Sequence, residues 1–411
     1  MSNAHRGQVV IAPDKFKGSL TAVQVAEHVA AGLRRVRPDL PLVALPVADG
    51  GDGTVDAAVA CGFARLRTSV TGPIGEPVTA SYAVRDATAV IELAEASGLR
   101  RLPGGESGKP EFAPLIASSR GTGELIDAAV RGGATRIVLG LGGSACTDGG
   151  AGMAEALGVR FLDSSGAPLP PGGAALRSLA SIDTRGLDER LDGVTFIVAS
   201  DVDNPLLGPE GAAAIFGPQK GASPSQVRTL ENGLARLENI ARRDLGAFAA
   251  KRPGAGAAGG VGFGAMTFLD ASVRPGIAFL LDLLGFAEQV AGARLVITGE
   301  GSLDRQSLRG KAPIGVARAA ARATVPTVAV AGRRTLTGEQ LRKARLQSAY
   351  AIADIESDPE RCMTEAGPLL ERLAEEIGRT WLKEPAPAGS ASAGSPSAGS
   401  PSASTLMGGA A

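Results

Sequence analysis

Residues 142 to 152 read GGSACTDGGAG and lie between the apolar run Arg136 to Leu141 and the segment Met153 to Leu157, so a glycine-rich loop joins a predicted strand to a predicted helix. Such a loop suits phosphate. Its five glycines let the backbone approach an anion without a Cβ in the way, Ser144 and Thr147 offer hydroxyls, and Asp148 offers a carboxylate. A tight surface turn is the plain alternative for any one loop of this kind, but similar runs recur: Asp14 to Ser19, Asp49 to Thr54, Asp201 to Pro205 and Gly299 to Asp304 each follow an apolar stretch. Phosphoryl transfer needs donors for the transferring group, oxygens around a hydrated magnesium ion and a group that receives the acceptor hydroxyl's proton. Lys15, Lys17, Lys220 and Lys311 supply the first, while Asp49, Asp52, Asp148, Asp201, Asp203, Glu300 and Asp304 supply the others. An Asp at a strand end also serves as a helix cap, and a loop lysine is usually just solvated. Recurrence at one edge of a sheet favours a site, because caps need no glycine.

The elements that would hold these loops alternate in type. Gln8 to Ala12 reads as a strand; Val23, Ala26, Val29, Leu33 and Val36 then recur at helical spacing behind a Thr21/Gln24 capping box, and Leu42 to Val47 reads as the next strand. Near the other end come Leu295 to Thr298, an alanine-rich helix over 312–323, Thr327 to Ala331 and a strand around 349–352. These are units of a parallel sheet covered by helices. Between about 70 and 290 the texture changes: Val70 to Val84 alternates like antiparallel strands, further strands lie at 89–93, 136–141 and 195–199, and an amphipathic helix starts at Ser223-Pro224 with Val227, Leu230, Leu234, Leu237 and Ile240 on one face. The expected fold is therefore α/β with two domains. A Rossmann- or flavodoxin-like parallel-sheet domain is made of residues 1–70 plus 290–383, with a mixed α/β domain, 71–289, inserted and a cleft between them. The Ala/Gly/Ser/Pro segment 384–411 is expected to be disordered.

Composition narrows the partners. At 411 residues the chain is long enough for two or three domains of roughly 100–200 residues. Lys plus Arg equals Asp plus Glu at 42 each, so no basic field exists to hold nucleic acid. Aromatics are only 3% and glycines number 57, which argues for close backbone approaches rather than stacking platforms. Three scattered cysteines form neither a disulfide framework nor a metal motif, and Cys146 reads as a small apolar filler. Two histidines, His5 and His28, leave no material for a His-based triad or zinc site. The N-terminus lacks an apolar leader and no run of about 18 apolar residues occurs, so a cytoplasmic location without membrane contact is expected. Gly254-x-Gly256-x-x-Gly259 spells a dinucleotide fingerprint, but a helix ending near 252–253 precedes it instead of a strand, so a flexible or ligand-facing loop is expected there. No Walker A sequence is present.

APDKFKGSLTA at 12–22, PVADGGDGT at 46–54, SRGTGELI at 119–126, GGSACTDGGAG at 142–152, DVDNPLLG at 201–208, IFGPQKGAS at 215–223, PGAGAAGG at 253–260 and ITGEGSLDRQSLRGKAPIGVA at 297–317 resemble, in order and spacing, the signature blocks of the type-2 family of bacterial glycerate kinases. The resemblance covers about residues 8–380, with small departures: Asp52 stands where glutamate is also familiar, and Cys146 where Ala or Thr is expected. It implies ATP- and Mg²⁺-dependent phosphorylation of D-glycerate, with 2-phosphoglycerate favoured, and two α/β domains. On that basis Gly142, Gly143, Ser144, Thr147, Gly149, Gly150, Gly299 and Gly301 are expected to cradle the nucleotide phosphates. Lys15 or Lys311 would offset their charge, Asp203 or Asp304 would serve as base, Lys17 or Arg120 would hold the substrate carboxylate, and Asp201 with Asp49 would hold the metal. A kinase for another small hydroxy acid and a non-catalytic nucleotide sensor remain as alternatives, a dehydrogenase lacks its fingerprint, and homo-oligomerisation stays open.

Overall fold

The computed structural model describes residues 7–48, 50–104 and 111–382. Asp49 and the segment 384–411, with its expected disorder, lie outside the described residues. The chain begins in one sheet with β1 (Val9–Pro13) and β2 (Leu42–Ala44), then leaves it. A second sheet takes β3 (Ala64–Thr71), β4 (Pro77–Arg85), β5 (Thr88–Glu92) and β6 (Arg136–Gly140); a side hairpin, β7 (Arg160–Leu162) and β8 (Ser181–Asp183), follows, and β9 (Thr195–Ala199) and β10 (Ser272–Arg274) complete that sheet. The chain then returns to the first sheet with β11 (Leu295–Leu303), β12 (Thr327–Arg334) and β13 (Ser348–Ala351).

The first sheet, ordered β13-β12-β11-β1-β2, is parallel throughout. Both its faces are covered, which is why β1 reads as an unbroken apolar run. Val9 and Ile11 join the core beneath the helices Ala22–Val36 and Ala366–Trp381, while Val10 and Ala12 point to the opposite core, against Ile277, Leu281, Ala312 and Val316. The second sheet, β10-β9-β6-β5-β4-β3, is parallel from β10 to β5 and antiparallel at β4 and β3. Its larger core lies beneath the helix Pro224–Leu245, whose Ser223/Gln226 capping box and buried Leu230, Leu234, Leu237 and Ile240 follow the sequence pattern. Each of those four side chains contributes roughly 1.5–3 kcal/mol on leaving water.

Three local expectations change. β3 falls within the segment expected to belong to the parallel sheet, yet it pairs with β4 from Ala64↔Val84 to Thr71↔Pro77, so the change of sheet occurs between Ala44 and Ala64. Gly299 to Leu303 do not form a loop: they extend β11 and pair with β12 up to Leu303↔Arg334. The helix before Gly254 ends at Leu245, and Gly254, Gly256 and Gly259 are buried, so of the two expected descriptions the flexible loop gives way to packed glycines, while Ala257 and Ala258 between them line the cavity described below. No described helix is long and apolar enough to cross a membrane.

Helix 22–36 meets helix 366–381 through Gly32, where an added Cβ would stand 2.2 Å from the Glu371 carbonyl oxygen and 2.8 Å from Ala374 Cβ. Gly32→Ala is expected to lower unfolding stability by about 1–3 kcal/mol, because backbone on the partner helix must give way. Urea unfolding at fixed m-value measures it; a variant as stable as wild type would contradict this close approach.

Candidate active site

Strand ends from both sheets converge on a cavity of about 1040 Å³. Its volume is at the upper end of small-molecule sites. From the parallel sheet, Asp14, Lys15 and Lys17 follow β1, Glu300 and Gly301 belong to β11, Asp304 follows it, and Lys311 precedes the helix Ala312–Arg322. From the mixed sheet, Gly142, Gly143 and Ser144 follow β6 and Asp201 follows β9. The carboxyl ends of parallel strands are where open α/β sheets take ligands.

The glycine-rich loop divides into two parts. Gly142 to Ser144 line the cavity, while Thr147, Gly149 and Gly150 do not. Gly149 and Gly150, both at positive φ, lie under Leu234, Leu237 and Val261, and a Cβ on Gly149 would stand 2.3 Å from Leu237 Cδ2. Asp148 is 1% exposed and accepts from the Ser119 amide and hydroxyl at 2.8 Å each, from Gly150 N at 3.1 Å and from Gly152 N at 3.2 Å. It anchors the loop's second half from inside. Gly142 and Gly143 face the ligand space but also back onto the loop 50–53: a Cβ on Gly142 would stand 2.2 Å from Gly51 Cα, and one on Gly143 2.3 Å from Asp52 Oδ1.

Other expected residues divide the same way. Gly299 is interior to β11, where a Cβ would meet the Val330 carbonyl at 2.4 Å, and Gly301 lines the cavity. Arg120 is paired with Glu124 at 3.1 Å and Glu155 at 3.0 Å and does not line the cavity; neither does the exposed Asp203. Asp201 lines it and also caps the helix Gly276–Leu283, accepting from Gly276 N at 2.9 Å and Ile277 N at 3.4 Å. Asp304 accepts from Gln306 N at 2.8 Å and Ser302 Oγ at 3.1 Å. Burial pushes its carboxyl up, but those hydrogen bonds and the nearby Lys311 charge outweigh it and hold the pKa below the usual range. Lys311 Nζ is 3.9 Å from Glu300 Oε2, and Lys15 Nζ donates to the Asp52 carbonyl.

Three groups near the cavity escaped the expected set. Lys220, grouped in the sequence with Lys15, Lys17 and Lys311 as a phosphate donor by residue type but given no place in the site, is 2% exposed on the cavity wall. Arg333 lines the cavity at the end of β12 and donates to Ser302 Oγ at 3.1 Å; no local motif marks it. Glu92, at the end of β5, is 1% exposed and accepts from Gly53 N at 2.9 Å, bracing the loop that carries Asp52. A lone acidic residue closing an apolar strand was the only available signal.

The fold is α/β, and its charged, glycine-lined cavity is of a kind that suits phosphoryl transfer. The sequence model of the "Glycerate kinase family" matches residues 9–382. The chain is 44% identical over 373 residues to the glycerate kinase of Bacillus subtilis (strain 168), covering 90% of this chain and 96% of that one. It is 46% identical over 331 residues to the glycerate 2-kinase of Escherichia coli (strain K12), covering 80% and 86%. A crystal structure provisionally named glycerate kinase 2, from Salmonella typhimurium LT2, superposes with a TM-score of 0.78 at 41% identity, covering 91% of this chain and 98% of that one. The chain belongs to the glycerate kinase family and is a kinase that phosphorylates glycerate with a nucleotide cosubstrate.

Burial raises the Glu92 carboxyl to about 7 despite its 2.9 Å ion pair with Arg100, whose half-exposed guanidinium is screened by water; Asp52 and Glu95 push the same way as burial. A folded-state pKa raised above the ordinary 4.5 stabilises the fold fully at low pH, and that stabilisation is lost as pH rises towards 7. Wild-type unfolding free energy should therefore fall relative to Glu92→Gln between about pH 4.5 and 7, by up to a few kcal/mol. Parallel pH profiles in denaturant titrations would refute this ionisation account.

Proposed function

We propose that this kinase uses ATP and Mg²⁺, transfers the γ-phosphoryl group to the 2-hydroxyl of D-glycerate, and does so in the cavity between the two sheets. The observation that carries the reading is the convergence of Lys15, Lys17, Lys311, Asp304 and the Gly142–Ser144 loop on one space. The family resemblance favours 2-phosphorylation, and the Escherichia coli relative carries the name glycerate 2-kinase. Each sheet with its helices acts as one domain, the parallel-sheet domain being discontinuous.

In this reading Gly142, Gly143, Ser144 and Gly301 present backbone and hydroxyl groups to the nucleotide phosphates. Lys15 and Lys311 offset their charge, since phosphoryl transfer is catalysed mainly by positioning and electrostatics. Lys17, exposed at the rim, takes the substrate carboxylate. Asp304 is ionised at neutral pH, orients the glycerate hydroxyl and receives its proton as the bond to phosphorus forms; Asp203 and Arg120, outside the cavity, fit these two roles less well. Mg²⁺ in kinases is held by one or two carboxylates plus substrate phosphates, so no all-protein cage is required. Asp201 fits as a ligand, directly or through water, because it follows β9 at the cavity, and Asp49 is its expected companion. The ion would neutralise charge on the phosphates.

Phosphorus NMR of a reaction with ATP, Mg²⁺ and D-glycerate should give 2-phosphoglycerate, and 3-phosphoglycerate would overturn the isomer assignment. Asp304→Asn should lower kcat on the order of 10²-fold or more with a folded enzyme. Turnover within a few-fold of wild type would remove Asp304 from the chemistry, and faster turnover with tartronate than with glycerate would replace the substrate.

A further inference from the structure

Lys220 ends the turn Pro218–Lys220 in the mixed sheet's domain and is 2% exposed, although its residue lines the 1040 Å³ cavity. An ammonium has three donors. One reaches Ser144 Oγ at 2.8 Å and another the Cys146 carbonyl oxygen, both neutral acceptors on the glycine-rich loop. Among the described residues no carboxylate lies within the 4.0 Å of an ion pair. The titratable groups acting on it are the Cys146 thiol and the Asp148 carboxylate, both on that loop. Asp148 cannot turn to meet it, because its oxygens are occupied by the Ser119 amide and hydroxyl and by Gly150 N and Gly152 N. Burial therefore lowers the Lys220 pKa, and the two loop groups only partly offset it.

A buried cation with no counter-charge is costly unless something supplies one. Lysines elsewhere on the cavity do not share this predicament: Lys17 is exposed, and Lys311 has Glu300 at 3.9 Å. We propose that Lys220 is an anion receptor of the active site, its counter-charge supplied by an anionic oxygen of a bound substrate, either the carboxylate of glycerate or a phosphate of the nucleotide. The proposal rests on the cavity being the substrate site. Ser144 and Cys146 fix the ammonium in place before the ligand arrives, so little ordering is left to the binding step. Pairing with an oxyanion restores the proton affinity that burial removes, so binding draws a proton from solution at alkaline pH. A lysine that merely staples the turn to the loop would bind no ligand and take up no proton.

Titration calorimetry of the full chain with D-glycerate alone and with ADP alone, in two alkaline buffers of different ionisation enthalpy, reads both effects. Lys220→Met should weaken one of the two ligands roughly 30-fold or more and abolish the proton uptake that accompanies it, and the ligand affected identifies the oxygen. A folded Lys220→Met that binds both ligands within about threefold of wild type, with unchanged proton uptake, overturns the proposal. Lys220→Gln, which keeps a neutral donor, replaces it should the methionine variant fail to fold, with the same expected losses and the same overturning result; wild type that takes up no proton with either ligand also overturns it. Lys311→Ala separates the two levels: if it too leaves both affinities unchanged, the cavity reading falls, whereas weakened binding there with intact binding in the Lys220 variants defeats only the receptor.

Discussion

The molecule depends on one seam, where the loop 50–53 from the parallel sheet enters the carboxyl edge of the mixed sheet. A Cβ on Gly50 would stand 2.2 Å from the Ala199 carbonyl oxygen at the end of β9, and one on Gly140 2.7 Å from the Gly50 carbonyl oxygen at the end of β6. Gly142 N donates to that Gly50 carbonyl at 3.2 Å, and Gly53 N donates to Glu92 at the end of β5. Three adjacent strands of one sheet thus hold a loop of the other, two by backbone contact and β5 through the Glu92 carboxylate. Lys15 donates to the Asp52 carbonyl, so the β1 loop is tied to the same place. Side chains at Gly50 or Gly142 would force the sheet edges apart, and the cavity walls with them.

The second connection is made by packing. Helix 276–283 turns Ile277 and Leu281 into the core of the parallel sheet, and Phe279 and Leu283 against the outer core of the mixed sheet with Val90, Val138 and Ala199. Its first turn is capped by Asp201, from the mixed sheet's edge. A cap of this kind is worth about 1 kcal/mol, whereas losing a carboxylate that meets a metal-bound phosphate changes rate with little change in stability. On the proposed reading the same side chain would serve in both places. Stability and turnover would therefore separate the cap from the proposed metal role of Asp201.

Much of the scaffold was legible because its signals are local. The Thr21/Gln24 and Ser223/Gln226 capping boxes and the unbroken apolar runs of β1 and β9 each reflect a preference set within a few residues. The face of each loop was not legible in the same way. Thr147, Gly149 and Gly150 belong to a phosphate-like motif by spelling, yet helices 224–245 and 257–268 lie over them, and that burial is decided by residues about a hundred positions later. Gly299 looks like loop glycine because its neighbours are polar, but β12 captures it into the ladder through Thr298↔Ala329 and Gly299↔Val330. Lys220 carried no mark of its burial, since the oxygens that hold it are 76 and 74 residues away.

The scarcity of aromatics, at 3%, then acquires a reason. Gly142, Gly143, Gly301, Gly332, Ala257 and Ala258 place peptide groups along part of the cavity wall, beside bulky apolar side chains such as Phe16, Leu99, Leu141 and Phe216. It suits ligands that are small, charged and rich in oxygen, for which fixed N–H dipoles and a few placed cations supply both the attraction and the register. A three-carbon hydroxy acid has almost no apolar surface of its own, so discrimination among such acids falls to charge spacing across the cavity. On the proposed reading, the exposed Lys17 at the rim and the buried Lys220 on the wall would set that spacing from different loops, one held by each sheet. On that reading the seam at Gly50 and Gly142 would bear on specificity as well as on the fold.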